Sequence, residues 1–217
     1  MAVDADRAVS QTDVADAVRR KIFNGDLVAG QRLIEAELTE SLGASRGAVR
    51  AALVDLTHEG LVERIANRGA RVRVVSVEEA LQITEVRMVV EGLCGAKATE
   101  RITDDEIVEL RELGRQMVAC VASADVVGYS RLNQQLHETV VRIAAQPVAA
   151  EVIARLRARN VRHQFRLAYR PGRPQVSLPQ HLAIIEGLAT RNAQATQAAI
   201  HAHIGSVMEA LRDSDHQ

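Results

Sequence analysis

Three histidines, His137, His181 and His203, have the spacing that points most directly to chemistry. Leu132, Leu136, Val140 and Ile143 recur as an apolar helical stripe, and Asn133 and His137, four residues apart, border it on one face. His181 lies inside the run of Leu178, Leu182, Ile185 and Leu188. His203 lies inside that of Ile200, Ile204, Val207 and Leu211, with His201 toward its edge. Imidazoles converging from three helices on one interior suit Zn²⁺, Ni²⁺, Cu²⁺ or Fe²⁺. Three protein nitrogens leave coordination positions for water or a ligand carboxylate. A single inward histidine is ordinarily a hydrogen-bonded core residue. With three, the core reading and the metal reading both stay open.

A second set of residues is cationic. Arg46 and Arg50 stand one turn apart, off the centre of an apolar face made by Val49, Ala52, Leu53 and Leu56. Arginine suits bidentate contact with guanine O6/N7 or with phosphate. Ser45, just before them, serves as a helix N-cap and as a phosphate donor. Residues 61–75 hold Arg64, Arg68, Arg71 and Arg73 against one acid, Glu63, a local excess of +3. Two arginines on a short helix are ordinarily a solvated face. The ordered combination of a capped helix pair, the arginine placement and a basic ribbon favours double-stranded DNA.

The elements that must position these groups follow from the hydrophobic period. Residues 12–24 read as a helix closed by Gly25. Ile34, Leu38 and Leu42 mark a short helix before Gly43, and a third helix runs from Ser45 to Gly60. Leu61–Ile65 and Ala70–Val75 then read as a β-hairpin with an Asn67-Arg68-Gly69 tip. Three short helices and a ribbon make a winged helix-turn-helix over residues 1–75. From residue 76 to 217 only helices are expected. Ser76-x-x-Glu79, Thr103-x-x-Glu106 and Ser177-x-x-Gln180 match capping boxes and propose starts near 77, 104 and 178. Further helices are expected over about 125–146, stopped by Pro147, over 148–170, stopped by Pro171-Gly-Arg-Pro174, and from Asn192 to about Leu211. The fold expected is mainly α: the winged helix with its small hairpin, followed by an all-α six-helix bundle.

Composition bounds the alternatives. The chain has 217 residues, 27 Lys+Arg against 28 Asp+Glu, and 47% hydrophobic residues, which excludes a disordered chain. Aromatics are only 2%, Phe23, Phe165, Tyr129 and Tyr169, too few for a stacking platform for single-stranded nucleic acid. No apolar run reaches the roughly 18–20 residues of a membrane span. The polar N-terminus shows no secretory signal, so no membrane partner and a cytoplasmic location are expected. Cys94 and Cys120 lack CxxC spacing and read as small apolar residues.

The segment Gly30-Gln-Arg-Leu-Ile-Glu through Leu42-Gly-Ala-Ser-Arg-Gly-Ala-Val-Arg50 to Glu59-Gly-Leu-Val62 resembles the winged-helix reader of the GntR superfamily. The resemblance implies that Arg46 and Arg50 contact the operator, that Arg68 and Gly69 form the wing tip, and that Arg32 touches the backbone. Ala48 replaces the frequent proline and Ala51 the usual glutamate, which bears on which operator is read. Glu85-Val-Arg87, Asn133-x3-His137, Gln180-His181-x2-Ile184 and the late His203 resemble the FadR-type helical effector (FCD) domain of the same superfamily. With the reader, the resemblance covers nearly the whole chain.

It implies a homodimeric, DNA-binding transcription factor, commonly a repressor, controlled by a small organic acid: a hydroxy acid, sugar acid or dicarboxylate linked to a catabolic pathway. The effector site would be Arg87, Asn133, His137, His181 and His203. Asn133, His137, His181 and His203 would hold a divalent transition metal such as Zn or Ni. Asn133 stands where metal-binding members usually carry aspartate, and its neutral oxygen holds a dication more weakly. Arg87 would pair with an effector carboxylate, against the local alternative of an ion pair with Glu91 one turn on. Tyr129 and Arg166 are secondary candidates for the cavity wall. Residues 155–173 contain seven arginines and no acid; Arg155, Arg159, Arg162, Arg166 and Arg170 recur as a helical stripe whose default is a solvated face, the alternative being that some reach the pocket, a partner subunit or DNA. Two competing readings are a metalloenzyme built on the three histidines and a sensor of the metal itself. Glu138 points about 100° away from His137 around the helix and makes a poor general base.

Overall fold

The computed structural model describes residues 8–23, 25–65, 69–160, 163, 167 and 170–213. The chain divides into two compact units, Met1–Val75 and Ser76–Gln217. The first contains α1 (Gln11–Phe23), β1 (Arg32–Leu33), α2 (Glu35–Leu42), α3 (Arg46–His58), β2 (Val62–Ile65) and β3 (Gly69–Val72). The second contains α4 (Val77–Thr99), α5 (Asp104–Ala122), α6 (Val126–Ala144), α7 (Pro147–Arg159), α8 (Arg173–Ala189) and α9 (Ala193–Asp213).

In the first unit, Val14 and Val18 of α1 pack with Val49, Ala52 and Leu56 of α3, all at 1% exposure or less. Arg19 reaches from α1 to Glu59 at the end of α3 through a two-pronged pair, Nε–Oε2 3.0 Å and Nη2–Oε1 2.7 Å. Gly43, at φ +62°, closes α2 in the left-handed conformation that favours glycine. Ile34, expected on the apolar face of α2, is instead its exposed N-cap.

The wing is larger than the expected hairpin. β2 and β3 pair antiparallel with Glu63 opposite Arg71, and β1 adds to the other edge of β3 with Arg32 opposite Arg71. The sheet order is β1-β3-β2. Two residues are too few to show a period of two, so β1 left no sequence signal. The expected tip residues Asn67 and Arg68 lie outside the described residues.

In the second unit, side chains cap the helices that carry clear starts. Ser76 accepts from the Glu79 N–H at 3.1 Å. Thr103 and Glu106 form a reciprocal capping box on α5, and Asp125 accepts from Gly128 N–H on α6. The core runs through Cys94, Met117, Leu136, Ile184, Leu188 and Ile204, each at 1% exposure or less. Close approach of α4 to α9 depends on missing side chains: a Cβ on Gly95 would strike the tip of Ile200, and one on Gly92 would strike His201.

Two expectations are corrected. The helix expected over 148–170 ends at Arg159; the C-cap is Asn160, whose buried amide donates to Thr84 Oγ1 at 3.2 Å. Asn160 leaves the helix to reach this partner on α4, 76 residues away in the chain. The helix expected from 178 begins at Arg173. Gly172, at φ +80°, is its N-cap and Pro174 lies in its first turn, where a missing N–H leaves no bond unmade. Pro171-Gly-Arg-Pro174 thus opens a helix where a stop was expected. Ser177 and Gln180, expected to cap, both lie inside α8, which also accommodates Pro179.

Candidate functional site

Each unit presents one candidate site. In the first, Ser45 caps α3 by accepting from Ala48 N–H at 3.1 Å, and Arg46 is the first residue of the helix. Ser45, Arg46 and Arg50 are exposed. Arg50 Nε lies 2.7 Å from Glu35 Oε2, so α2 aims its guanidinium while its side chain stays 66% exposed. Arg32 is exposed on the outer strand β1, and Gly69, at φ +85°, opens β3. Arg64 is exposed on β2, whereas Arg71 is partly neutralised by Glu63. The expected DNA-facing residues that are described therefore lie at the cap and first two turns of α3 and on the wing sheet. Arg68 lies outside the described residues.

The second unit brings His137 of α6, His181 of α8 and His203 of α9 together: each offers one nitrogen, and the three atoms lie within 4.8 Å of one another. Nε2 of His181 and Nε2 of His203 are 3.3 Å apart. Every ring is held at its other nitrogen. His137 Nδ1 lies 3.3 Å from Glu91 Oε2, His181 Nδ1 lies 2.8 Å from Tyr129 Oη, and His203 Nδ1 lies 3.1 Å from Gln180 Oε1. Such partners fix ring orientation and tautomer and so aim the remaining lone pairs. Burial holds all three imidazoles below their ordinary pKa, those of His181 and His203 well below, so the rings are neutral at neutral pH. Burial also pushes the Tyr129 hydroxyl up, which keeps it protonated.

Glu91 ties this centre to two more helices. Its Oε1 lies 2.8 Å from Arg87 Nη2 on α4, and its Oε2 lies 3.1 Å from Arg157 Nη2 on α7. Burial opposes its charge, but the two guanidiniums and His137 hold its carboxyl well below the usual range. Arg87, 8% exposed, is thus engaged by Glu91, the local alternative for that residue. Glu91 was visible in the sequence only as that partner. Its contacts with His137 and Arg157 join residues 46 and 66 positions away and carry no local pattern. Gln180 was misleading as a cap. Tyr129 lines the centre, and Arg166 lies outside the described residues.

The arginine-rich stretch is not a single solvated stripe. Arg157 pairs with Glu91, Arg159 with Glu79, and Arg155 with Glu151. Arg170 and Arg173 donate to the Ala210 and Ser206 carbonyls of α9. The end of α7 at Asn160 interrupts the spacing from which the stripe was read.

The donor set fits a divalent transition ion. It offers three neutral imidazole nitrogens with their outer nitrogens engaged. Asn133, one turn before His137 on the same helix, has a buried Oδ1 with no hydrogen-bond partner among the described residues. A buried acceptor without a donor is costly unless something supplies its contact.

Comparison with known proteins agrees with the two-unit architecture. Residues 10–72 match the family model "Bacterial regulatory proteins, gntR family", and residues 82–206 match the FCD domain model. The chain is 25% identical over 195 residues to the HTH-type transcriptional repressor RspR of Escherichia coli strain K12, covering 90% of this chain and 86% of that protein. It is 29% identical over 177 residues to the Nta operon transcriptional regulator of Aminobacter aminovorans, covering 81% of each. The solved structure of E. coli McbR/YncC shares the fold at a TM-score of 0.80 with 20% identity, covering 94% of this chain and 97% of that one. These families and relatives are regulators, which removes the metalloenzyme reading. Among the described residues, no helix is long and apolar enough to cross a membrane. A reader helix, a wing and a histidine-centred helical unit, together with both family matches, establish that the chain belongs to the GntR family of DNA-binding transcriptional regulators carrying an FCD domain.

Proposed function

We propose that the protein is a homodimeric repressor whose operator affinity is set by a small organic acid bound at the histidine centre, through a divalent transition metal held by Asn133, His137, His181 and His203. The observation that carries the reading is the cluster of three neutral histidines, with the unsatisfied Asn133 oxygen one turn before His137 on α6. A bound ion would offer an open coordination position to a carboxylate. Glu91, Tyr129 and Gln180 hold the rings in place for it. The named repressor RspR supports the sign of regulation.

The dimer reading has support on α4. Val86, Val89 and Leu93 are 49%, 64% and 46% exposed and repeat at helical spacing, an apolar stripe suited to a second copy. Operator contact is assigned to Arg32, Ser45, Arg46, Arg50, Arg68 and Gly69, and residues 1–75 and 76–217 to the reader and effector domains. The acid changes DNA affinity only if it binds one arrangement of the dimer better than the other.

Elemental analysis of purified protein, with thermal shifts by organic acids before and after EDTA, tests this. A bound transition metal, with stabilisation by an acid that EDTA abolishes, supports the metal-bridged pocket. Stabilisation by an acid regardless of EDTA removes the metal from it. Operator affinity that tracks the metal and ignores acids replaces the acid effector with the ion itself as signal.

A further inference from the structure

Helix faces near the histidine centre carry a polar seam through the bundle. Tyr129, Asn133 and His137 recur every four residues on α6, and Arg173, Ser177 and His181 do the same on α8. Arg173, Ser177 and His181 are 8%, 5% and 0% exposed. On α9, Ser206 lies one turn beyond His203 and joins the seam by accepting from Arg173 Nη1 at 2.9 Å.

Arg173 is unlike the other buried arginines of this unit. Arg87 shares the Glu91 carboxylate with Arg157. Among the described residues no acid forms an ion pair with Arg173. Its Nη1 donates to Ser206, and its buried Nη2 has no hydrogen-bond partner. Glu209 attracts it only from beyond ion-pair distance, and a buried guanidinium with an unengaged nitrogen is a pre-positioned anion acceptor. Its anchor on Ser206 sets it three residues from His203, about 4.5 Å of helix rise.

We propose that Arg173 binds a second carboxylate of the effector, so that the acid is a short dicarboxylate: one end on the histidine centre, the other on Arg173. This rests on the acid-effector reading above and narrows it. Arg173 was not among the named site residues; the sequence carried it only as one of seven arginines, some of which could reach the pocket.

Malate and lactate test the assignment, since they differ by one carboxylate on the same hydroxy-acid frame. Their affinities are measured by calorimetry on the full-length, zinc-loaded protein and on Arg173→Gln and Arg173→Lys. Malate is expected to bind the wild type about tenfold or more tighter than lactate. In Arg173→Gln malate should fall to the level of lactate, with zinc content and lactate affinity unchanged. Arg173→Lys, which keeps the charge without the fork, should recover part of the difference. Equal affinities for the two acids in the wild type overturn the inference without any variant. A malate preference that survives Arg173→Gln also overturns it, and both outcomes leave the acid-effector reading standing. If neither acid binds the zinc-loaded wild type, and no other organic acid shifts its melting temperature, the acid-effector reading falls and this inference with it.

Discussion

Nε2 of His181 lies 3.3 Å from Nε2 of His203, so the two rings share space for one proton or one ion but not for two charges. Burial already holds both well below their ordinary pKa, and His137 below its own. In the unfolded chain each ring titrates near 6.5. As pH falls through that value the unfolded state takes up protons that the folded state refuses, and stability declines. Each ring contributes roughly 1.4 kcal/mol per pH unit until its folded pKa is reached. EDTA-treated protein should therefore lose denaturant stability steeply between about pH 6.5 and 5. A flat profile over that window means that the rings are not buried neutral.

Arg46→Ala and Arg50→Ala are each expected to weaken specific operator binding by about 1–3 kcal/mol. Both side chains are exposed, so the fold should survive, which circular dichroism checks. Unchanged retardation of the operator by both variants would displace α3 as the reader helix. Glu35→Gln releases Arg50 from its anchor on α2 and should have a smaller effect in the same direction.

Glu91→Gln leaves Arg87 and Arg157 without their shared counter-charge and loosens His137. Breaking a buried ion pair on one side costs about 3–5 kcal/mol. Losing the partner of a metal-ligating ring lowers metal affinity roughly 10–100-fold. Chemical denaturation and zinc titration measure the two effects separately. Loss of stability with undiminished zinc affinity would make Glu91 a purely structural anchor.

Gly187→Ala probes the joint between α8 and α9. A Cβ there would sit 2.6 Å from Thr196 Oγ1 and 2.9 Å from the Thr196 backbone, so the helices themselves must separate. About 1–3 kcal/mol of destabilisation is expected, and melting curves should show it. Gly95→Ala meets only the flexible tip of Ile200 and the Thr196 methyl at 3.2 Å, and should cost less. The reverse order of these two effects would contradict the packing described.

Local chemistry made part of this structure readable. The starts of α4 and α5 were legible because Ser76 and Thr103 cap them within four residues. The three histidines were legible because each fell on an apolar helical face, a periodic signal. What the sequence concealed was non-local or ambiguous. Pro171-Gly-Arg-Pro174 reads equally as the stop of one element or the start of another, and only the left-handed Gly172 decides for the start. The arginine spacing ran on past Asn160, where the helix stops. Glu91 gained its meaning from His137 and Arg157, which no window along the chain brings beside it. β1 was too short to carry any pattern.

His181 and His203 belong to one helical hairpin, α8 and α9, whereas His137 reaches them from across an intervening stretch that holds α7 and the arginine-rich segment. An ion gripping all three rings would work as a staple: it closes the chain between His137 and His181 into a loop and removes conformations from the unfolded ensemble. Because folded and loaded states then reinforce each other, removing the ion would loosen that stretch before the hairpin. The fraying would show first as faster amide hydrogen exchange in α7.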